Sequence, residues 1–179
     1  MTEVMRLFDW FATGKALKDG KTVILPCDTI YSLSARADEE KADELYEIKA
    51  RSSAKSFITV MTLAQLRESG LIVPERLYSL WPAPLTAVLA SDGGGTVAVR
   101  VPRGEYINKV LSVSGPIYST SVNISGQPSL LTFEDILPVF SGKVDIIVED
   151  RSIKGGRPST LIDATSEPFK VLRQGEFVI

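Results

Sequence analysis

Hydrogen-bonding side chains follow a short apolar strand in the second half of the chain. Their residue types and spacing make them the first candidate group for a functional site. The stretch from 117 to 126 reads I-Y-S-T-S-V-N-I-S-G. Its polar groups stand at alternate positions, Ser119, Ser121, Asn123 and Ser125. Alternate residues of an extended segment face one side, so the row suits anionic oxygens or a metal–phosphate unit. The structural alternative is a Ser/Asn-rich turn whose side chains bond the local backbone.

Three cations after a predicted helix form a second candidate group: Lys49, Arg51 and Lys55. In the structural interpretation, the cations only stabilise the helix, because the helix dipole favours positive charge at a C-terminus by about 0.3–1 kcal/mol. In the functional interpretation the three cations hold a polyphosphate, because lysine supplies a point charge and arginine a planar fork of donors.

The sequence contains no histidine and one cysteine, Cys27. Serine and cysteine nucleophiles activated by histidine are therefore excluded, as are most zinc sites and any internal disulfide. Cys27 has no adjacent base and is a poor candidate nucleophile. The remaining groups fit phosphoryl or nucleotidyl transfer, in which positioning and charge neutralisation supply most of the catalysis.

Asp28 and Thr29 directly follow a predicted buried strand at 22–26. The ends of strands are where α/β sheets usually bind ligands. A turn or a helix cap is the local alternative, and the residue types alone favour it. The three glycines at 93–95 precede a strand rather than a helix, so they predict a hairpin turn and not a phosphate loop.

The composition describes one globular domain covering 1–179. The chain of 179 residues is 44% hydrophobic and 23% charged, with a formal net charge of -2. This charge is unlike that of a protein that binds nucleic acid over its whole surface. No stretch reaches the roughly 20 apolar residues of a membrane span, and the N-terminus lacks the features of a secretory signal. The sequence therefore predicts a cytoplasmic protein with no membrane partner.

Helical and strand patterns interleave along the whole chain and predict an α/β domain. The hairpin around the triple glycine makes the predicted sheet mixed rather than purely parallel. Helices are predicted at 1–18, 38–50, 62–70, 105–112 and 133–140, with Asp38 as the N-cap of the second and a Thr62–Gln65 capping box at the start of the third. Strands are predicted at 22–26, 57–61, 85–90, 96–101, 144–148 and 169–172, with shorter ones at 117–118 and 161–162.

Seven short motifs occur in order between Pro26 and Gly175. They are P-C-D-T-I-Y-S-L from 26, K-A-R-S-S-A-K from 49, W-P-A-P-L-T from 81, V-R-V-P from 99, S-T-S-V-N-I-S-G from 119, P-S-T-L-I-D from 158 and R-Q-G from 173. Together and in this order they resemble the YrdC-like family, the threonylcarbamoyl-AMP synthases. The chain ends at Ile179, as the short, single-domain form of that family would.

The resemblance implies a twisted, mixed parallel and antiparallel open sheet with flanking helices and a concave basic cleft. It also implies a nucleotidyltransferase that makes threonylcarbamoyl-adenylate and pyrophosphate from L-threonine, bicarbonate or CO2, and ATP, with Mg2+ carried by the ATP. The adenylate feeds the t6A modification of tRNA, so tRNA and t6A-pathway proteins are expected partners.

The resemblance also implies which residues do this work. The central group is Lys49, Arg51, Ser121 and Asn123. The expected substrate and nucleotide contacts are Thr29, Tyr31, Lys55, Arg100, Ser119, Ser159 and Arg173. Lys49 and Lys55 would meet phosphate charge, and Arg51 would hold the threonine carboxylate or carbamate. Arg100, Ser159 and Arg173 are expected at the rim or at the nucleotide, and no protein ligand to a metal is expected.

Several residues depart from the family pattern. Ser32 and Ser34 stand where the family has glycine near the threonine site, and Ser52 and Ser56 replace prolines. These departures leave two alternatives open. One is a protein of the same fold that binds nucleotide, tRNA or double-stranded RNA, although the acidic charge and scarce aromatic residues speak against RNA as the sole ligand. The other is a carbamoyl- or acyl-adenylating paralogue that uses a different amine.

Overall fold

A mixed β-sheet is the frame of the structure, a computed structural model that describes residues 1–50, 56–153 and 156–179. Its strands are β1 Glu3–Arg6, β2 Val23–Pro26, β3 Tyr31–Arg36, β4 Ile58–Val60, β5 Leu71–Ile72, β6 Leu85–Ser91, β7 Thr96–Arg100, β8 Ile117–Ser121, β9 Ile146–Glu149, β10 Thr160–Asp163 and β11 Lys170–Arg173. The helices are α1 Trp10–Lys18, α2 Glu39–Ile48, α3 Leu63–Arg67, α4 Glu75–Leu80, α5 Glu105–Ser114 and α6 Phe133–Phe140.

The strands run in the order β1-β9-β2-β3-β8-β4-β7-β6-β10-β11, and β5 pairs with β6. The pairs β1/β9, β2/β9, β4/β7 and β6/β10 are parallel, and the other neighbours are antiparallel. The predicted mixed open sheet with flanking helices is therefore confirmed. The hairpin β6–β7 is also confirmed, because the glycines supply the positive φ angles of its turn.

Helices cover the two faces of the sheet unequally. On one face, α2 and α6 pack over the centre of the sheet, and α3 and α4 pack against β6 and β7. On the other face, α1 and α5 pack over residues of β2, β8 and β9, such as Leu25, Ile117 and Val148. Residues of β3, β7 and β8 that share this second face remain open beyond the two helices, and this opening is the cleft described below.

The N-terminal prediction of a helix over 1–18 is wrong in its first half. Residues 3–6 form the edge strand β1, which pairs in parallel with β9, and only Trp10–Lys18 is α-helical. A segment of four residues is too short for its hydrophobic periodicity to distinguish a helix from a strand. Pairing with the distant strand β9 therefore decides the secondary structure.

The sequence pattern also predicts no strand at 31–36 and no helix at 75–80, where β3 and α4 lie. Strand β3 has both faces buried, so its serines occupy positions that the usual alternation would give to exposed residues. By contrast, the predicted caps are confirmed: the Asp38 carboxylate accepts from the Lys41 N–H at 3.0 Å, and Thr62 and Gln65 form a reciprocal capping box.

Candidate active site

A cavity of about 470 Å³ lies on the open face of the sheet. Its polar lining includes Thr29, Ser32, Arg100, Ser119, Ser121, Ser159 and Arg173, and its apolar lining includes Ile58, Val88, Ala98 and Leu161. The strand register explains this set, because pairing of β3 with β8 and of β7 with β4 places Ser32, Ser121 and Arg100 on one face. Polar groups on one half of the floor and apolar groups on the other suit a ligand with both characters.

The cavity has a deep end and an open mouth. At the deep end, Thr29, Ser32, Arg100 and Ser159 are between 2% and 7% exposed. At the mouth, Ser56 and Arg173 are exposed. Arg100, which was expected at the rim or at the nucleotide, is 7% exposed, because strand β7 carries its side chain into the floor of the cavity.

Lys49 holds the turn that follows β8. Its ammonium group donates to the Ser121 carbonyl at 2.6 Å, to the Asn123 carbonyl at 3.0 Å and to Asn123 Oδ1 at 2.7 Å. Ser121 Oγ also donates to Asn123 Oδ1 at 2.7 Å. In the main chain, the Ser125 N–H donates to the Lys49 carbonyl at 2.8 Å. The end of α2 and the turn after β8 are thus joined through one nearly buried lysine, which is 2% exposed.

The predicted row of polar side chains therefore divides into two parts. Ser119 and Ser121 line the cavity, as an alternating strand requires. Asn123 lies beyond the end of β8, and its amide donates to the Gln127 carbonyl at 2.6 Å while its oxygen meets Lys49. Ser125 is exposed on the turn. The structural interpretation holds for Asn123, whose side chain bonds the local backbone, and the anion-binding interpretation of Ser119 and Ser121 stays a prediction.

Asp28 and Arg100 form a buried ion pair at the deep end of the cavity. The Arg100 Nη2 group donates to Asp28 Oδ1 and, at 2.9 Å, to the Thr29 hydroxyl. Asp28 Oδ2 also accepts from the Arg103 N–H at 2.9 Å. Both side-chain bonds of Arg100 use Nη2, and its buried Nε has no hydrogen-bond partner among the described residues. The rest of the guanidinium therefore makes no described hydrogen bond to the protein.

Arg173 is exposed at the mouth, but its guanidinium reaches the main chain of Ser159 at the deep end. Arg173 Nη2 donates to the Ser159 carbonyl at 2.9 Å, and the Ser159 hydroxyl lies 2.7 Å from that of Thr86. Partial burial, and then the positive charge of Arg100, lower the pKa of the Arg173 guanidinium. An anion bound between the two arginines would relieve this repulsion.

Two other side chains near the cavity are committed to the protein itself. The Tyr31 hydroxyl accepts from the Asp150 N–H at 2.7 Å and lies 3.0 Å from the Val148 carbonyl, so it anchors the start of the loop after β9. Burial raises the pKa of the Cys27 thiol to about 12, which keeps the thiol protonated near neutral pH.

The sequence model of the Sua5/YciO/YrdC family, described as "Telomere recombination", matches residues 15–175. The match covers most of the chain, including the polar and the apolar residues that line the cavity. The chain belongs to the Sua5/YciO/YrdC family.

Proteins named threonylcarbamoyl-AMP synthase are among its relatives in this family. That of Pyrococcus abyssi is 34% identical over 175 residues, covering 89% of this chain and 52% of its own length. That of Vibrio cholerae is 32% identical over 178 residues, covering 89% of this chain and 94% of its own length. The chain thus spans about half of the Pyrococcus relative and nearly all of the Vibrio one.

A solved structure of Pyrococcus abyssi Sua5 complexed with L-threonine is also similar. Its TM-score is 0.87 at 31% identity, over 97% of this chain and 58% of that one. The Sua5/YciO/YrdC fold and the motif order inferred from the sequence are therefore confirmed.

Two predicted residues of the Sua5/YciO/YrdC motif set, Arg51 and Lys55, lie outside the described residues. Asp28 and Ser32, which support and line the deep end of the cavity, were not among the predicted site residues. The position of Asp28 beside Thr29, at the end of a buried strand, was the sequence signal that could have identified it as a site residue. Its pairing with Arg100, 72 positions away, was not visible in the sequence.

Gly156 packs against the main chain of the Thr29–Ile30 segment. A Cβ atom at this position would lie 2.2 Å from the Thr29 carbonyl oxygen and 3.3 Å from Ile30 Cγ2. Gly156→Ala should therefore displace Thr29 and cost about 1–3 kcal/mol in the free energy of unfolding. Chemical denaturation measures the stability change. If L-threonine, the ligand in the Pyrococcus Sua5 structure, also binds to this protein, calorimetry should show weaker binding in the variant.

Gly93→Ala is the matched control, because the nearest atom to its new Cβ would be Ser91 Oγ at 3.9 Å. This variant should keep the ligand affinity of the unaltered protein. Equal affinities in Gly156→Ala and Gly93→Ala would contradict the close packing at Thr29.

Proposed function

We propose that this protein is a threonylcarbamoyl-AMP synthase, a nucleotidyltransferase that uses L-threonine, bicarbonate or CO2, and ATP. The observation that carries the proposal is the buried Arg100 guanidinium at the deep end of the cavity, held on one side by Asp28. A buried arginine with unused donors is suited to a carboxylate, which it can bind in a bidentate manner. The relatives named threonylcarbamoyl-AMP synthase, and the structure of one family member with L-threonine, indicate which acid this is.

Threonine is proposed to occupy the deep end. Its carboxylate would meet Arg100, and the Thr29 hydroxyl, fixed by its bond to Arg100, would help to orient it. Ser119 and Ser159 supply further hydroxyls on either side. The apolar floor around Ile58 and Ala98 suits the methyl group of threonine.

ATP is proposed to occupy the mouth, where charge is less costly to bring in from water. Arg173 is exposed in this region, and Lys49 holds the Ser121–Asn123 turn beside the cavity. On the basis of their sequence motif, Lys55 is proposed to bind phosphate there, and Arg51 is proposed to hold the carbamate of threonine. The expectation of a concave basic cleft is part of this proposal.

The proposed reaction is a displacement at the α-phosphorus of ATP. An oxygen of the threonine carbamate forms a bond to the α-phosphorus, and the bond to the β-phosphate bridging oxygen breaks, so that pyrophosphate leaves. Negative charge grows on the phosphate oxygens during this step, and fixed donors aimed at those oxygens lower the barrier. Lys49 contributes by keeping the Ser121–Asn123 turn in one arrangement, and Arg100 by fixing the amino acid.

Magnesium is proposed to enter as a complex with ATP. The described part of the chain has no group of three or more His, Cys, Asp or Glu side chains that could hold a metal ion. Ser119 and Ser121 offer hard oxygen donors, which suit a Mg2+ ion that keeps most of its waters and is held mainly by phosphate. When bound, the ion would supply charge neutralisation.

The test is formation of an adenylate from ATP and Mg2+, followed as pyrophosphate release and by mass spectrometry of the product. We expect turnover that requires both L-threonine and bicarbonate. Omission of either one is the control. A folded protein that binds ATP but makes no adenylate with threonine would contradict the proposal. Delivery of the product to t6A synthesis on tRNA, with other pathway proteins, is part of the same proposal and would be tested by adding those components.

A further inference from the structure

Two serines of β3 form a buried hydroxyl pair on the cavity side of the sheet. Ser32 Oγ and Ser34 Oγ are 3.0 Å apart, and the two residues are 6% and 0% exposed. The register of β3 against β8 places Ser32 opposite Ser121 and Ser34 opposite Ser119. Four hydroxyl side chains therefore share one patch of the sheet, and Ser32, Ser119 and Ser121 reach the cavity.

The two hydroxyl protons of this pair can be assigned by burial. Either oxygen could donate in the bond between them. Ser34 is fully buried, and the only hydrogen-bond partner described for its hydroxyl is Ser32. If Ser32 donated, the Ser34 proton would be buried without an acceptor, which is costly. Ser34 therefore donates to Ser32, and the proton of Ser32 is left for the cavity.

We propose that Ser32 is a substrate-contacting residue that donates a hydrogen bond to an oxygen atom of the bound amino acid, and that Ser34 positions it. This inference rests on the proposed function and adds a contact that determines affinity for the amino acid. The acceptor is assigned to the amino acid rather than to ATP because Ser32 is nearly buried, as are Thr29 and Arg100, the two residues proposed to bind threonine.

The test compares steady-state constants of Ser32→Ala with those of the unaltered protein. Loss of one hydrogen bond to the substrate should raise KM for L-threonine by about five- to tenfold and leave KM for ATP within about twofold. Ser32→Cys has nearly the same shape and a much weaker donor, so it should show most of the same rise in KM. Calorimetric titration with L-threonine alone gives a second reading of the same affinity.

Ser114→Ala is the matched control. Ser114 is also nearly buried, at 8% exposure, and its hydroxyl donates to the Gly115 carbonyl at 2.8 Å, away from the cavity. Its kinetic constants should not change.

The outcomes separate this inference from the function on which it rests. If the unaltered protein makes the adenylate and Ser32→Ala keeps its KM for threonine, the Ser32 contact is refuted and the function stands. A rise confined to KM for ATP refutes it in the same way. If the unaltered protein neither binds threonine nor makes the adenylate, both fail.

Discussion

Lys49→Met is expected to lower kcat/KM for adenylate formation by roughly a hundredfold or more. The lysine ammonium makes three hydrogen bonds to the turn after β8. A hydrogen bond to a charged group is worth about 1.5–3 kcal/mol, and each 1.36 kcal/mol changes a rate tenfold. Methionine has similar length and no donor, so the Ser121 carbonyl and both oxygens of Asn123 lose the hydrogen bonds that the lysine donates. Pyrophosphate release under saturating and limiting threonine measures the effect.

The same substitution should also lower the free energy of unfolding, so a loss of activity needs a control of equal instability. Leu45→Ala serves this purpose, because Leu45 lies on α2, is fully buried and packs in the core on the opposite face. It should cost about 2–5 kcal/mol and keep its activity at temperatures where it is folded. If Lys49→Met retained more than about a tenth of the activity at such a temperature, the turn would not depend on the lysine.

Asp28→Asn is the second large expected effect, and it should act on threonine rather than on ATP. The carboxylate holds Arg100 at Nη2 and also accepts from the Arg103 main chain. Removing its charge weakens one charged hydrogen bond, so KM for threonine should rise by about tenfold or more. KM for ATP should change much less, because the nucleotide is proposed to bind at the mouth.

Stability offers an independent test of this buried pair. Asp28→Ala leaves a buried arginine without a counter-charge and should cost about 3–5 kcal/mol. The double variant Asp28→Leu with Arg100→Met removes both charges and should be more stable than Asp28→Ala, yet inactive with threonine.

Asp19→Asn is the matched control for the loss of a carboxylate. Asp19 pairs with Lys15 at 2.6 Å on the exposed surface of α1, and such pairs contribute only about 0–1 kcal/mol. Equal effects of Asp28→Asn on the KM values of threonine and ATP would contradict the proposed division of the cavity.

Local sequence signals predicted the parts of the fold that depend on neighbours in the chain. The Asp38 cap, the Thr62–Gln65 capping box and the glycine hairpin all formed as predicted, because their partners lie within a few residues. The edge strand β1 was missed because its partner, β9, is more than 140 residues away. Strand β3 was missed because helices cover one of its faces and the cavity lies on the other.

By itself, the sequence determined the chemistry that is open to this protein and the family to which it belongs. The absence of histidine excluded the common nucleophilic mechanisms, and seven motifs in order carried the family resemblance. Only the tertiary structure decided which groups meet. The pairing of β3 with β8 placed Ser32 beside Ser121, and the position of β7 in the sheet brought Arg100 to Asp28. These contacts depend on strand order and register, which bring together residues that are distant in the sequence and that no local periodicity relates.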